Sequence, residues 1–190
     1  MKETEPIRNK QKIREIMAYH LNLGQIRNHV MIVIGLRTAL RISDILRLSW
    51  DDVYDFDNQR IKRSIAITEK KTGKTKTIAL HPDIIAALER YIDTAKCNAP
   101  LIINEQTGKA ISRVQAYRII RSAGEAVEVE TRVSCHSLRK TFGYQSWKGG
   151  KRLPVIMKIY NHSSEAVTQL YLGITQDDIN EVYLDLDFTA

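Results

Sequence analysis

A chain of 190 residues with 43% hydrophobic and 27% charged side chains has the composition of one ordinary globular domain, which excludes a disordered, collagen-like or disulfide-stapled chain. The net charge of +7 conceals a split, because all 29 Lys and Arg residues lie at or before Lys158 and residues 159–190 hold six acids and no base. Twenty-nine bases against sixteen acids give the body +13 and the tail −6, and a polyanion such as nucleic acid suits the body, since each neutralised phosphate releases condensed counterions.

In chain order, apolar residues at helical intervals predict helices over Lys10–Leu23 and Gln25–Thr38, with Gly24 as the stop between them. A third helix is expected from Ile42 to about Leu48, with Ser43 as cap and Ile45, Leu46 and Leu48 inward. From Ile61 to Leu80 the period changes to that of a β-hairpin, whose basic tip is the glycine-containing turn Lys-Lys-Thr-Gly-Lys. Helices are expected again over Asp83–Ala95, Ser112–Val127, Ser137–Lys148 and Pro154–Tyr160. Thr175 and Asp178 form a capping-box start for a last helix. It places Ile179, Val182, Tyr183 and Leu186 on one face and the acids on the other. The fold class expected is α-rich α+β, mostly helical with one small antiparallel hairpin. Residues 1–24 are read as an N-terminal helix and linker remnant, 25–174 as the main domain, and 175–190 as an acidic amphipathic helix that packs on its own domain or docks on a neighbour.

Several chemistries can be set aside. Cys97 and Cys135 show no C-x-x-C or zinc-ligand spacing, and a reducing, cytoplasmic compartment is expected. Val30–Gly35 is too short to span a bilayer, and Met1–Lys12 is charged, with no signal-peptide core, so neither export nor membrane insertion is expected. The five histidines make no H-E-x-x-H, and no P-loop or G-x-G-x-x-G is present. Asp51, Asp52, Asp55 and Asp57 cluster after Trp50, where a solvated turn outweighs a two-metal site. What remains is basic and hydroxyl-bearing: residues 38–52 around Arg41, the hairpin lysines, His-Ser-Leu-Arg-Lys-Thr at 136–141, and Asn-His-Ser-Ser followed by Tyr171. His136 and Arg139 share one helical face, where an imidazole and a guanidinium can converge on one phosphate.

These elements, in this order, resemble the catalytic domain of the tyrosine recombinases, the phage integrase family. The first box matches Leu36–Val53 with Arg41 and its acidic companion Asp44. The H-x-x-R box matches His136 and Arg139, the G-H-x8-Y ending matches His162 and Tyr171, and the hairpin lysine falls at Lys71, with Lys70, Lys74 and Lys76 as competitors. Where the family usually has Leu-Gly-His, this chain has Tyr160-Asn161-His162, and Asn tolerates the left-handed turn that glycine would make.

The resemblance implies that Tyr171 attacks a DNA phosphodiester and leaves a 3′-phosphotyrosyl enzyme and a free 5′-hydroxyl. Arg41 and Arg139 would hold the phosphate oxygens, His136 would take the tyrosine proton, His162 would bond the phosphate and Lys71 would protonate the leaving oxygen. It implies no cofactor and no metal, double-stranded DNA as partner, a tetramer on two DNA sites, an accessory DNA-bending protein in some settings, and a bacterial or phage setting at the nucleoid. Only about 27 residues precede the match, so the chain is expected to be an excised catalytic domain or to resemble the short invertases of the fimbrial-switch type. Two alternatives stay open: a non-catalytic DNA-binding regulator using Arg41–Trp50 as a helix-turn-helix, and a type IB topoisomerase-like relaxing enzyme.

Overall fold

Asn9 opens the first helix, α1 (Lys10–Asn22), by accepting from the backbone N–H groups of Gln11 and Lys12, which satisfies two of the donors a helix start leaves unpaired. The computed structural model describes residues 4–68 and 73–185. Gly24, at φ +69°, ends this helix as expected. The next, α2 (Ile26–Thr38), is buried at ten of its thirteen positions, as a helix apolar on all sides must be. It forms the axis of the domain, with α1, α5 (Pro82–Glu89) and α7 (Cys135–Lys148) packed around it.

The third helix is shorter than its apolar spacing predicts. α3 covers only Ile42–Ile45, its N-cap is Arg41 rather than Ser43, and no side chain caps it. The chain leaves the helix because the Leu48 carbonyl accepts from Leu101 N–H and Ser49 bridges to Pro100. Ile45, Leu46 and Leu48 are nonetheless buried. A capping box between Ser49 and Asp52 then starts α4 (Trp50–Val53). Asp51 meanwhile accepts from Cys97 and the Asn98 backbone, and Asp55 from Asn58, so Asp51, Asp52 and Asp55 hold local caps and turns. Among the described residues no group of acids, histidines and cysteines is placed to hold a metal.

Instead of one hairpin there are three two-stranded antiparallel sheets among the described residues: β1 (Tyr54–Asp55) with β2 (Arg60–Ile61), β3 (Ser64–Thr68) with β4 (Thr75–Ala79), and β5 (Ile103–Asn104) with β6 (Lys109–Ala110). Ile61 belongs to the first, because Gln59 at φ 48° turns the chain just before it. The β3–β4 register pairs Ile65 with Ile78 and Ile67 with Lys76. Lys70 and Lys71 lie outside the described residues.

α5 ends at Glu89, short of the expected Ala95, and a 3-10 turn at Ile92–Thr94 follows. Capping boxes at Ser112/Gln115 and Ser134/Ser137 start α6 (Arg113–Ala126) and α7. The next helix, α8 (Leu153–Tyr160), ends on Asn161 in the left-handed conformation, φ 56°. No element is expected over residues 163–172, yet Ser164 caps α9 (Glu165–Leu172) there. Thr175 and Asp178 make the expected capping box of α10 (Gln176–Leu184).

The N-terminal segment is a strap across α7. Ile7 N–H donates to Thr141 Oγ1 at 2.8 Å, and Gln145 Nε2 donates to the carbonyls of Ile7 and Arg8. Arg8 in turn donates to Asp178 and to the Gly173 carbonyl at the end of α9. α10 thus lies on its own domain with Asp178, 5% exposed, facing inward, while Ile179, Val182, Tyr183 and Leu184 face solvent.

Burial tends to raise the Asp178 pKa. Hydrogen bonds from the Thr175 backbone, Tyr144, Arg8 and the Thr175 hydroxyl outweigh it and hold the carboxyl well below the usual carboxylate range. A depressed carboxyl stabilises the fold above its unfolded pKa near 3.8 and loses that contribution as pH falls through the folded value. Asp178→Asn is expected to cost about 1–3 kcal/mol at pH 7, a range set by partners that keep solvent access. In urea titrations the gap from wild type should narrow below about pH 4; a gap constant from pH 7 to pH 3 would contradict this.

Candidate active site

Four separate stretches of chain meet at one place. Ala39, at the end of α2, is left-handed (φ 56°); the next residues lead to Arg41 at the start of α3. α7 brings His136 and Arg139 on one face, the turn after α8 brings His162, and α9 brings Tyr171. They meet over a small second core of Ala39, Ile156, Tyr160 and Leu172, with Phe142 and Tyr171 packed against it.

Arg139 is the anchor. It is 3% exposed, donates to the carbonyls of Ala39 and Tyr160, and lies 4.5 Å above the Tyr160 ring. A buried guanidinium needs this many partners to offset lost hydration. Its charge and a hydrogen bond also act on Tyr171. Tyr171 is half-buried, its ring 5.0 Å from that of His162 and 5.2 Å from that of Tyr160, with Lys140 Nζ 5.4 Å over its face. Burial pushes the Tyr171 phenol up, and Arg139 and Arg41 pull back against it.

Burial lowers the pKa of His162, and Arg139 and Arg41 lower it further. His136 is lowered by the burial of part of its ring and by Arg139, Arg113, Lys140 and Arg41. Both imidazoles are therefore neutral at pH 7. The Thr168 hydroxyl donates to the Ser164 carbonyl, so it accepts from His162 Nδ1–H. That network assigns the tautomer and leaves the Nε2 lone pair as a proton acceptor.

Arg41, His136, Arg139, His162 and Tyr171 are thus brought together, and Asp44 is buried beneath, its N–H bonded to the Arg41 carbonyl. Lys71 lies outside the described residues. Two of its competitors reach the turn before His162: Lys74 Nζ donates to Asn161 Oδ1 at 2.8 Å and Lys76 Nζ to the Ile159 carbonyl at 3.5 Å. Sequence reasoning did not place Thr168, Lys140 or the Tyr160 ring against these groups. Ser164 followed by Val167 and Leu170 at helical spacing was the available signal for α9, and with it for Thr168.

The Phage integrase family model matches residues 8–177. The probable integrase/recombinase YoeC of Bacillus subtilis is 37% identical over 179 residues, covering 94% of both chains. Tyrosine recombinase XerD of Mycobacterium leprae is 26% identical over 168 residues; the match covers 83% of this chain but about half, 51%, of XerD. Among solved structures, XerA recombinase superposes with a TM-score of 0.76 at 20% identity, covering 96% of this chain and 65% of that one. XerH bound to a palindromic difH substrate gives 0.74 at 17%, covering 96% and 54%. No helix among the described residues is long and apolar enough to cross a membrane. With the arginines, the histidines and the tyrosine converging on one site, the chain belongs to the phage integrase family of site-specific tyrosine recombinases, and its fold is their catalytic domain.

Proposed function

We propose that this chain cleaves and rejoins double-stranded DNA through a covalent 3′-phosphotyrosine formed on Tyr171. The observation that carries the reading is the convergence of Tyr171 with Arg139, Arg41 and His162 from four separate stretches. Tyr171 Oη attacks the phosphorus, the P–O5′ bond breaks, and the bridging oxygen leaves as a 5′-hydroxyl. Forming a phenolate at pH 7 from a pKa near 10 costs about 4 kcal/mol, and burial adds to that cost. Cations and a base must therefore share the load. Arg41 and Arg139 bind the non-bridging oxygens and offset the charge growing on the five-coordinate phosphorus. The resemblance gives the tyrosine proton to His136, but the imidazole lying against Tyr171 is that of His162, 5.0 Å ring to ring, so His162 Nε2 accepts the proton and, once protonated, donates to the phosphate. His136, one turn before Arg139, flanks the same oxygens. A hairpin lysine supplies the proton to the leaving oxygen: Lys71 by its place in the motif, with Lys74 and Lys76 on the same hairpin.

Assembly of several protomers on two DNA sites fits α10, whose apolar residues Ile179, Val182 and Tyr183 face outward and are suited to a neighbouring protomer. The regulator alternative has less support. Segment 42–53 offers two single-turn helices with Ile45, Leu48 and Trp50 buried, which is not the exposed recognition helix a groove reader needs.

The test needs no knowledge of the target. Wild type and Tyr171→Phe are expressed in the native host, lysed in denaturant without crosslinker, and the DNA that stays attached is sequenced. Covalent DNA at a few loci is expected in the wild type and none in Tyr171→Phe. Covalent DNA in both would remove Tyr171 as the nucleophile; plasmid relaxation without junctions would favour the topoisomerase-like reading.

A further inference from the structure

Tyr160 occupies the position where the family usually has leucine, and its ring touches three of the groups assigned to the chemistry. It is fully buried at the end of α8. The Arg139 guanidinium carbon lies 4.5 Å over its centroid, His162 stacks on it at 5.2 Å with 21° between planes, and Tyr171 leans on it at 5.2 Å and 55°. Its hydroxyl donates to the Arg139 backbone carbonyl at 2.5 Å, and its own carbonyl accepts from Arg139 Nη2. Space for the ring comes from Gly143, where a Cβ would lie 2.6 Å from the hydroxyl.

We infer that Tyr160 is a positioning residue for the cleavage reaction. One rigid aromatic plate sets the guanidinium of Arg139, the imidazole of His162 and the phenol of Tyr171 at fixed separations before DNA arrives. The physical basis is directional: a π face attracts a cation held above it and fixes stacked rings in offset geometry, whereas an aliphatic side chain of similar volume fills space without fixing orientation. The hydroxyl joins α8 to α7 through the Arg139 carbonyl.

The inference rests on the functional reading above, so its test has two arms. In the first, single-turnover cleavage of the duplex recovered with the wild type is followed for Tyr160→Phe and Tyr160→Leu, with DNA affinity measured separately. Tyr160→Leu is expected to slow covalent product formation by about 10²-fold, the scale of a misplacement near 1 Å, with affinity unchanged. Tyr160→Phe, which keeps the plate, is expected to stay within a few fold of wild type. In the second, NMR of the DNA-free protein follows the Arg139 guanidinium. Restricted rotation and slow proton exchange are expected in the wild type and Tyr160→Phe, and faster motion in Tyr160→Leu. Wild-type rates and guanidinium dynamics in Tyr160→Leu, or equal losses in both variants, would overturn the role of the ring. Absence of covalent product from the wild type would count against the functional reading, and the NMR arm would then decide for or against Tyr160 by itself.

Discussion

Arg139→Lys is expected to bind DNA within a few fold of wild type and to form covalent tyrosyl-DNA about 10²–10³-fold more slowly, the cost of removing one preorganised oxyanion donor. The reason lies in donor count and shape. The guanidinium has five N–H donors in a rigid fork, and two of its nitrogens are already engaged by the carbonyls of Ala39 and Tyr160. A further hydrogen bond acts on Tyr171, and the donors left over are what a phosphate can use. An ammonium has three donors at one point and cannot keep both carbonyls while bonding two phosphate oxygens. The backbone is arranged for arginine here: Ala39 is held left-handed at φ 56°, a conformation that costs a non-glycine residue about 1–2 kcal/mol, and its carbonyl accepts from Arg139. Single-turnover cleavage at saturating enzyme checks the prediction. A rate within tenfold of wild type would show that Arg139 serves the fold rather than the phosphate.

Gly143→Ala should act on the same centre from beneath. A Cβ at this position of α7 would run into Leu172 Cδ2 and would lie 2.6 and 2.8 Å from the Tyr160 hydroxyl and ring. None of these atoms can step aside cheaply, because Tyr160 is fixed by Arg139 and Leu172 by the small core. Overpacking of this kind costs about 1–3 kcal/mol. At about 2–4 °C per kcal/mol for a domain of this size, Tm should fall by several degrees, and cleavage should fall by more than stability explains, since Leu172 follows Tyr171. Gly35→Ala is the comparison: helix propensity returns about 1 kcal/mol at either site, but the only contact under 3 Å at Gly35 is a single side-chain methyl, Leu138 Cδ1 at 2.9 Å. Equal Tm losses in the two variants would refute the packing argument.

Long periodic segments and capping residues made most of the fold legible. Gly24, Pro82, Ser112 and the Thr175–Asp178 box mark their element ends because each solves a local problem of backbone geometry or unpaired N–H groups. α3 was overextended because Ile45, Leu46 and Leu48 are buried whether or not they are helical. What shortens it is a pairing with Leu101, more than fifty residues away, that no local pattern carries. The two-residue strands are below the length at which alternation can be seen. Motif order and spacing point to Arg41, His136, Arg139, His162 and Tyr171, residues the fold brings close together. They do not point to Thr168 and Tyr160, because the importance of these two is a matter of which side chain lies against which. The orientation of α10 was equally hidden: its amphipathic pattern suggests the apolar face inward, yet the ion pairs of Asp178 with Arg8 and Lys148 turn that face to solvent.

The strap bears on how the molecule comes into being. Ile7 contacts Thr141 across 134 residues and Arg8 contacts Asp178 across 170, and synthesis delivers residues in order, so the partners of this segment emerge long after it. Ile7, almost wholly buried in the finished domain, must keep its apolar side chain in water until α7 has been made. Arg8 must wait for α10 as well. The seam that fastens the end of the Tyr171 helix at Gly173 therefore closes only after the residues up to Asp178 have been translated.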